Sequence, residues 1–165
     1  MANANIVVNI AVDVNYVYSQ KPGSYLGAGI YMMDNHVVSG SSGEGTLELT
    51  VAGSAGQSVA FNAFAINQLQ GTNAVVTIQG LQQSSGTNVF GNQGWPSAQT
   101  PPAPYQFLGY LMKSGQMTYQ IKIGVSPNGV IFPTQYYTWD PFFKVGTNLA
   151  FQQFKDAPRL WADQD

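Results

Sequence analysis

The only histidine of this chain, His36, stands two residues after Asp34 in the run YMMDNH. Imidazole beside carboxylate is the pairing used by serine triads and acid–base catalysts, so chemistry of that kind must pass through His36. Serines are plentiful, yet no G-x-S-x-G elbow singles one out. The sequence therefore predicts no catalytic residue, and the chain is read as a non-enzyme. Metal chemistry has as little to draw on. With no cysteine and one histidine, only oxygen ligands for a hard cation remain. Asp13, Asn15, Asp34 and Asn35 would supply them if two loops met, but no EF-hand spacing supports this, and neither metal nor cofactor is expected. The eight acids are too scattered along the chain to define a glycosidase-type carboxylate pair.

Sugar binding asks for something this composition does contain: aromatic platforms for the apolar face of a pyranose, with amides and carboxylates for its hydroxyls. Trp95, between Gly94 and Pro96 in a polar loop, is expected to be exposed, and Asp140 follows Trp139 directly. The candidate ligand-binding set is Trp95, Asp34, Asn35, His36 and Asp140. Trp139 itself is assigned to the core, as large aromatic residues in strands usually are.

Positioning these residues falls to short strands. In QMTYQIKIGV, Met117, Tyr119, Ile121, Ile123 and Val125 share one face while Gln116, Thr118, Gln120 and Lys122 share the other. TLELTV alternates in the same way, with Leu47, Leu49 and Val51 inward. SVAFNAFAI, residues 58–66, is apolar on both faces, as a central strand would be. Further strands are expected near 5–14, 28–33, 73–81, 105–112 and 136–145, separated by turn-forming runs at 21–24, 39–45, 53–57, 113–116 and 126–129. About eight short strands with glycine-rich turns and no sustained helical period predict an all-β fold, an antiparallel β-sandwich of jelly-roll or immunoglobulin-like kind. One long proline-rich loop, 84–104, interrupts it and reads as functional or mobile. The chain is taken as a single domain, 1–165, with its core over 5–145 and a short C-terminal tail, 146–165.

Charge narrows the partners. Charged residues make up 8% of the 165 residues, against a usual ~25%, and the net charge is −2. Six lysines and arginines scattered singly cannot neutralise a phosphate backbone, so nucleic acid is excluded as a partner. The absence of a long apolar run or basic amphipathic helix argues against membranes. The N-terminus has no basic region before its first strand, which predicts a cytoplasmic protein without a signal peptide. Amides and hydroxyls replace the missing charge, and surfaces near neutrality tend to associate.

The opening strand ending in AVDVNYV, the stretch YMMDNHVVSGSSGEGTLEL, and above all YQIKIGV followed by YYTWDPFFKV resemble the bacterial inclusion body protein family that includes PixA and the AidA proteins. The resemblance spans about Ile6 to Val145 and lies in order and spacing. It implies a small, cytoplasmic bacterial protein associated with intracellular inclusions or host-associated life. The proline-rich loop around Trp95 and the tail depart from the family pattern.

In YYTWDPFFKV, Tyr137, Trp139, Pro141, Phe143 and Val145 fall on one face, and Tyr136, Thr138, Asp140, Phe142 and Lys144 on the other. Pro141 cannot donate to a ladder, which places this strand at an edge or bends it. Tyr136, Phe142 and the tail residue Trp161 are the candidate oligomer interface. The expected function is self-association as a homo-oligomer, with a storage, inclusion or host-interaction role. The alternative is a lectin-like module that takes glycans as partners through Trp95 and Asp34 to His36.

Overall fold

The computed structural model describes residues 3–68, 73–100, 103–126, 129 and 135–147. Within them ten strands form two sheets. The first contains β1 (Ile6–Val12), β2 (Ile30–Asp34), β4 (Ser58–Ala65), β6 (Ser97–Ala98) and β7 (Phe107–Tyr110), in the order β2-β1-β4-β7-β6. The second is ordered β3-β10-β8-β5, from β3 (Thr50–Ser54), β10 (Phe142–Gly146), β8 (Gly115–Ser126) and β5 (Val75–Gly86), with β9 (Gln135–Trp139) also paired to β8. One helix, α1 (Val14–Ser19), and one 3-10 turn, Val37–Ser39, complete the described elements.

Period-two alternation builds the core. Ile6, Val8, Ile10 and Val12 of β1 and Tyr119, Ile121, Ile123 and Val125 of β8 are fully buried, as are Tyr137 and Trp139 of β9. Burying each such side chain contributes about 1.5–3 kcal/mol. Rings of Phe61, Tyr119, Phe143 and Phe90 interlock at its centre, mostly edge to face, with centroids 4.6 to 6.3 Å apart.

The expected all-β, sandwich-like fold is present, with three differences from the sequence reading. Two of the strand pairs are parallel, β1 with β4 and β3 with β10, so both sheets are mixed where antiparallel sheets were expected. These connections run between the sheets, so they need no crossover helix within either one. Pro141 does not mark an open edge. It divides one long predicted strand into β9 and β10, which pair with successive halves of β8. The outer side of β9 is closed by residues 23–26, with Gly23 N–H donating to Tyr136 O and Leu26 N–H to Thr138 O, while β10 is flanked by β3.

The third difference is the loop expected at 84–104. Residues 84–86 continue β5, and residues 89–91 and 94 fold inward. Val89 and Phe90 are fully buried, and Val89 O accepts from Met112 and Lys113 N–H at 2.8 and 3.0 Å. Gly94 lets this happen, because a Cβ there would lie 2.2 Å from Tyr110 O and 2.5 Å from Phe90 O. Most of the tail lies outside the described residues.

Candidate functional site

Asp34 closes β2 with both carboxylate oxygens occupied. Oδ1 accepts from His36 N–H at 2.7 Å and Oδ2 from the Ser41 hydroxyl at 2.7 Å. Ser41 Oγ in turn accepts from Ala52 N–H at 2.9 Å. His36 Nδ1 lies 3.0 Å from Ala52 O, and since a carbonyl only accepts, Nδ1 carries the proton. A serine, a histidine and an aspartate thus meet, but not as a relay: the serine bonds the carboxylate directly and the histidine bonds backbone. Asn35 continues the sheet beyond β2, accepting from Val7 N–H at 2.8 Å and donating to Asn5 O at 3.2 Å. The triplet Asp34, Asn35 and His36 therefore ties β1, β2 and β3 together. Nearby, Glu44 accepts from Asp34 N–H at 3.0 Å. Partial loss of solvent raises the Glu44 carboxyl above its usual range, and the neighbouring Asp34 charge adds to this.

Asp13 is the N-cap of α1, accepting from Tyr16 N–H at 3.1 Å and Asn67 Nδ2 at 2.7 Å. These bonds, the Asn67 bond foremost, hold its carboxyl below the ordinary value. Asp34 pairs opposite Val8, whereas Asp13 follows Val12 at the other end of β1. Five residues of extended chain put about 16 Å between them, so the two loops do not meet and Asp13 and Asp34 cannot share a cation. Among the described residues no group of three or more His, Asp and Glu gathers to hold a metal.

Trp95 is half-buried, where exposure was expected. Its ring centroid lies 5.1 Å from that of Phe90 and it packs against the core, because the loop that carries it is drawn in by Val89 and Phe90. It is not brought together with Asp34 or Asp140 in a common cavity. Trp161 lies outside the described residues.

The remaining candidates do share a surface. Tyr136, Asp140 and Phe142 stand on the outer face of the second sheet, with Tyr136 38% exposed and Phe142 half-buried. Asp140 is bridged to neighbouring strands: its Oδ1 accepts from Gln120 Nε2 at 3.1 Å and its Oδ2 from Ser84 Oγ at 3.0 Å. Gln120, Gln82 and Ser84 were not singled out in the sequence. For Gln120 the signal was present in the polar face of the β8 pattern, which reads equally well as plain solvent exposure, and Gln82 and Ser84 stood in the polar second half of β5.

The outer face of the first sheet was also missed. Tyr31 and Met33 of β2, Phe64 of β4 and Tyr110 of β7 are 41, 40, 44 and 50% exposed there. Strands β1, β4 and β7 contain no charged residue, and the one charge of β2, Asp34, stands opposite inward-facing Val8. A sheet face with four exposed large apolar side chains and no charge is the kind of patch that marks a contact surface.

These features define an all-β, two-sheet protein of sandwich type. Residues 4–129 match the family model described as "Domain of unknown function (DUF8788)", and the chain belongs to that family. The match ends before β9 and β10. A crystal structure of the inclusion body protein PixA from Burkholderia cenocepacia J2315 shares the fold, with a TM-score of 0.69 over 88% of this chain and 98% of that one at 20% identity. The resemblance to PixA-type proteins read from the sequence thus holds in the fold. Comparison with curated proteins gives no match. No helix among the described residues is long and apolar enough to cross a membrane.

Proposed function

We propose that this protein is non-enzymatic and works by self-association, as an inclusion-forming or storage protein or as an assembled surface in host interaction. The observation that carries the reading is the charge-free outer face of the first sheet, with Tyr31, Met33, Phe64 and Tyr110 all 40 to 50% exposed. A two-fold interface sets a patch against its own copy, and any charge in the patch would then meet itself. A face without charges suffers no such repulsion. Covering it removes apolar surface from water at about 25 cal/mol per Å². The low net charge of −2 leaves little long-range repulsion to keep copies apart. The shared fold with an inclusion body protein supports the same reading.

Sedimentation velocity on the full chain tests it. The wild type is expected to grow in mass with concentration, and Phe64→Glu and Met33→Glu to sediment as monomers. Their melting temperatures should stay within a few degrees of the parent, since exposed positions bear substitution well. A wild type that stays monomeric at all concentrations, or charged variants that assemble like it, would sink the proposal.

A further inference from the structure

The outer face of the second sheet, which carries the Tyr136 and Phe142 read from the sequence as an oligomer interface, has a second feature. Two grooves, of about 570 and 550 Å³, lie end to end along β8. Tyr136 and Gly80 border the first, and Phe142 and Ser85 the second. A polar bridge runs from the first groove toward the second, across β5 and β8 to Asp140 in the link between β9 and β10. Gln82 Nε2 donates to Gln120 Oε1 at 2.7 Å, Gln120 Nε2 donates to Asp140 Oδ1 at 3.1 Å, and Ser84 Oγ donates to Asp140 Oδ2 at 3.0 Å.

We propose that this face binds an extended neutral oligosaccharide, laid along β8 with sugar rings against Tyr136 and Phe142 and hydroxyls on the Gln82–Gln120–Asp140 bridge. Four observations lead there. First, the bridge fixes its own side chains while leaving capacity unspent: each amide keeps a free N–H, and Asp140 keeps lone pairs. Hydroxyls, which both donate and accept, match such a mixed row. Second, the aromatic side chains lie at the two ends. Six residues separate Tyr136 from Phe142, up to about 20 Å of strand, so an occupant that touches both is an oligomer. The Tyr136 ring is steadied on one side by the Lys122 ammonium, 4.8 Å from its centroid.

Third, the floor along β8 and β9 is closed to peptide strands. β8 is paired on both sides and β9 is sealed by residues 23–26, so a strand could be added only at the outer edge of β5, beside the grooves and not along them. Fourth, the charges disfavour a polyanion. Lys122 and Lys144 stand at opposite ends with Asp140 between them, so no continuous cationic track runs along the face.

Gly80 gives the decisive variant. Its φ lies outside the left-handed region and an added Cβ would meet nothing within 4 Å, so Gly80→Leu carries a side chain into the first groove with no clash at its Cβ. The experiment is calorimetric titration of the full chain with cellohexaose, xylohexaose, mannohexaose and chitohexaose, and with hexagalacturonate as the charged comparison. Saturable binding of at least one neutral hexasaccharide is expected, weakened about 10-fold or more by Gly80→Leu and by Tyr136→Ala at unchanged melting temperature. Phe64→Glu, on the opposite sheet, should bind as the wild type does, which separates this site from the assembly face. The proposal is overturned if no neutral hexasaccharide binds, if binding survives both groove substitutions, or if only hexagalacturonate binds.

Discussion

Asp13 caps a helix of six residues, a length that has little stability of its own, so the cap matters more than the helix's propensity. Its folded-state carboxyl titrates below the ordinary value of 3.8. The stabilisation is therefore complete above that value and is lost as pH falls through the lower, folded one. Asn67 holds both sides of the joint, receiving Val14 N–H at 2.9 Å and donating to Asp13 at 2.7 Å. Asp13→Asn keeps a capping oxygen but cannot titrate, so urea unfolding should show near-native stability at neutral pH and a shallower loss toward about pH 2. An acid limb identical to the wild type would mean that Asp13 does not contribute to it. Asp13 and His36 show how alike a structural and a catalytic residue look in sequence. Each is a polar group at a strand end, and only the partners around it tell the roles apart.

At the scale of elements, the two sheets are clasped by one amide. Gln106, just before β7, accepts from Ile78 N–H of β5 at 2.9 Å and donates to Ala63 O of β4 at 2.8 Å. Its own N–H bonds Phe61 O and Asn62 Oδ1. Gln106→Leu keeps the volume but leaves the Ile78 and Ala63 backbone groups without this partner, at a cost of about 1–3 kcal/mol for each group stranded away from water. A matching fall in the urea midpoint at unchanged slope is expected, and a variant as stable as the parent would show that water replaces the amide. The strands themselves were legible: alternation located β8 and gave the inward residues of β9 and β10, a run apolar on both faces located β4, and strands were expected where β1 and β7 lie. Their partners were not. Pairing β1 parallel to β4 joins residues about fifty positions apart, and a period-two pattern reads the same whichever neighbour lies alongside and in whichever direction. The 84–104 loop shows the converse. Its length, glycines and prolines suggested a functional or mobile loop, whereas Val89 and Phe90 anchor it in the core.

For the whole molecule, scarcity of charge links fold to proposed behaviour. If copies meet through the uncharged face of the first sheet, the association constant should change by less than about threefold between low salt and roughly 0.5 M sodium chloride, because screening acts on charges that this face lacks. Sodium sulfate should strengthen it by favouring apolar burial. A steep decline with sodium chloride would instead point to ion pairs elsewhere on the surface.

Sequence alone determined the all-β class, the inward residues of β8, β9 and β10, the absence of cysteine chemistry and the low charge, because alternation and composition are local properties. It also supplied the chemistry of a sugar-binding surface, in aromatic side chains, amides and a carboxylate, and assigned it to Trp95, Asp34, Asn35, His36 and Asp140. Tertiary structure alone decided which of those groups stand together. Trp95 packs half-buried against the core and Asp34 stands at a strand junction, while Gln82, Gln120 and Asp140 came into one hydrogen-bonded row. Gln82 and Gln120 are 38 positions apart, and their meeting depends on the register of β5 against β8. That register is set by burying the opposite faces of both strands, which no local pattern encodes.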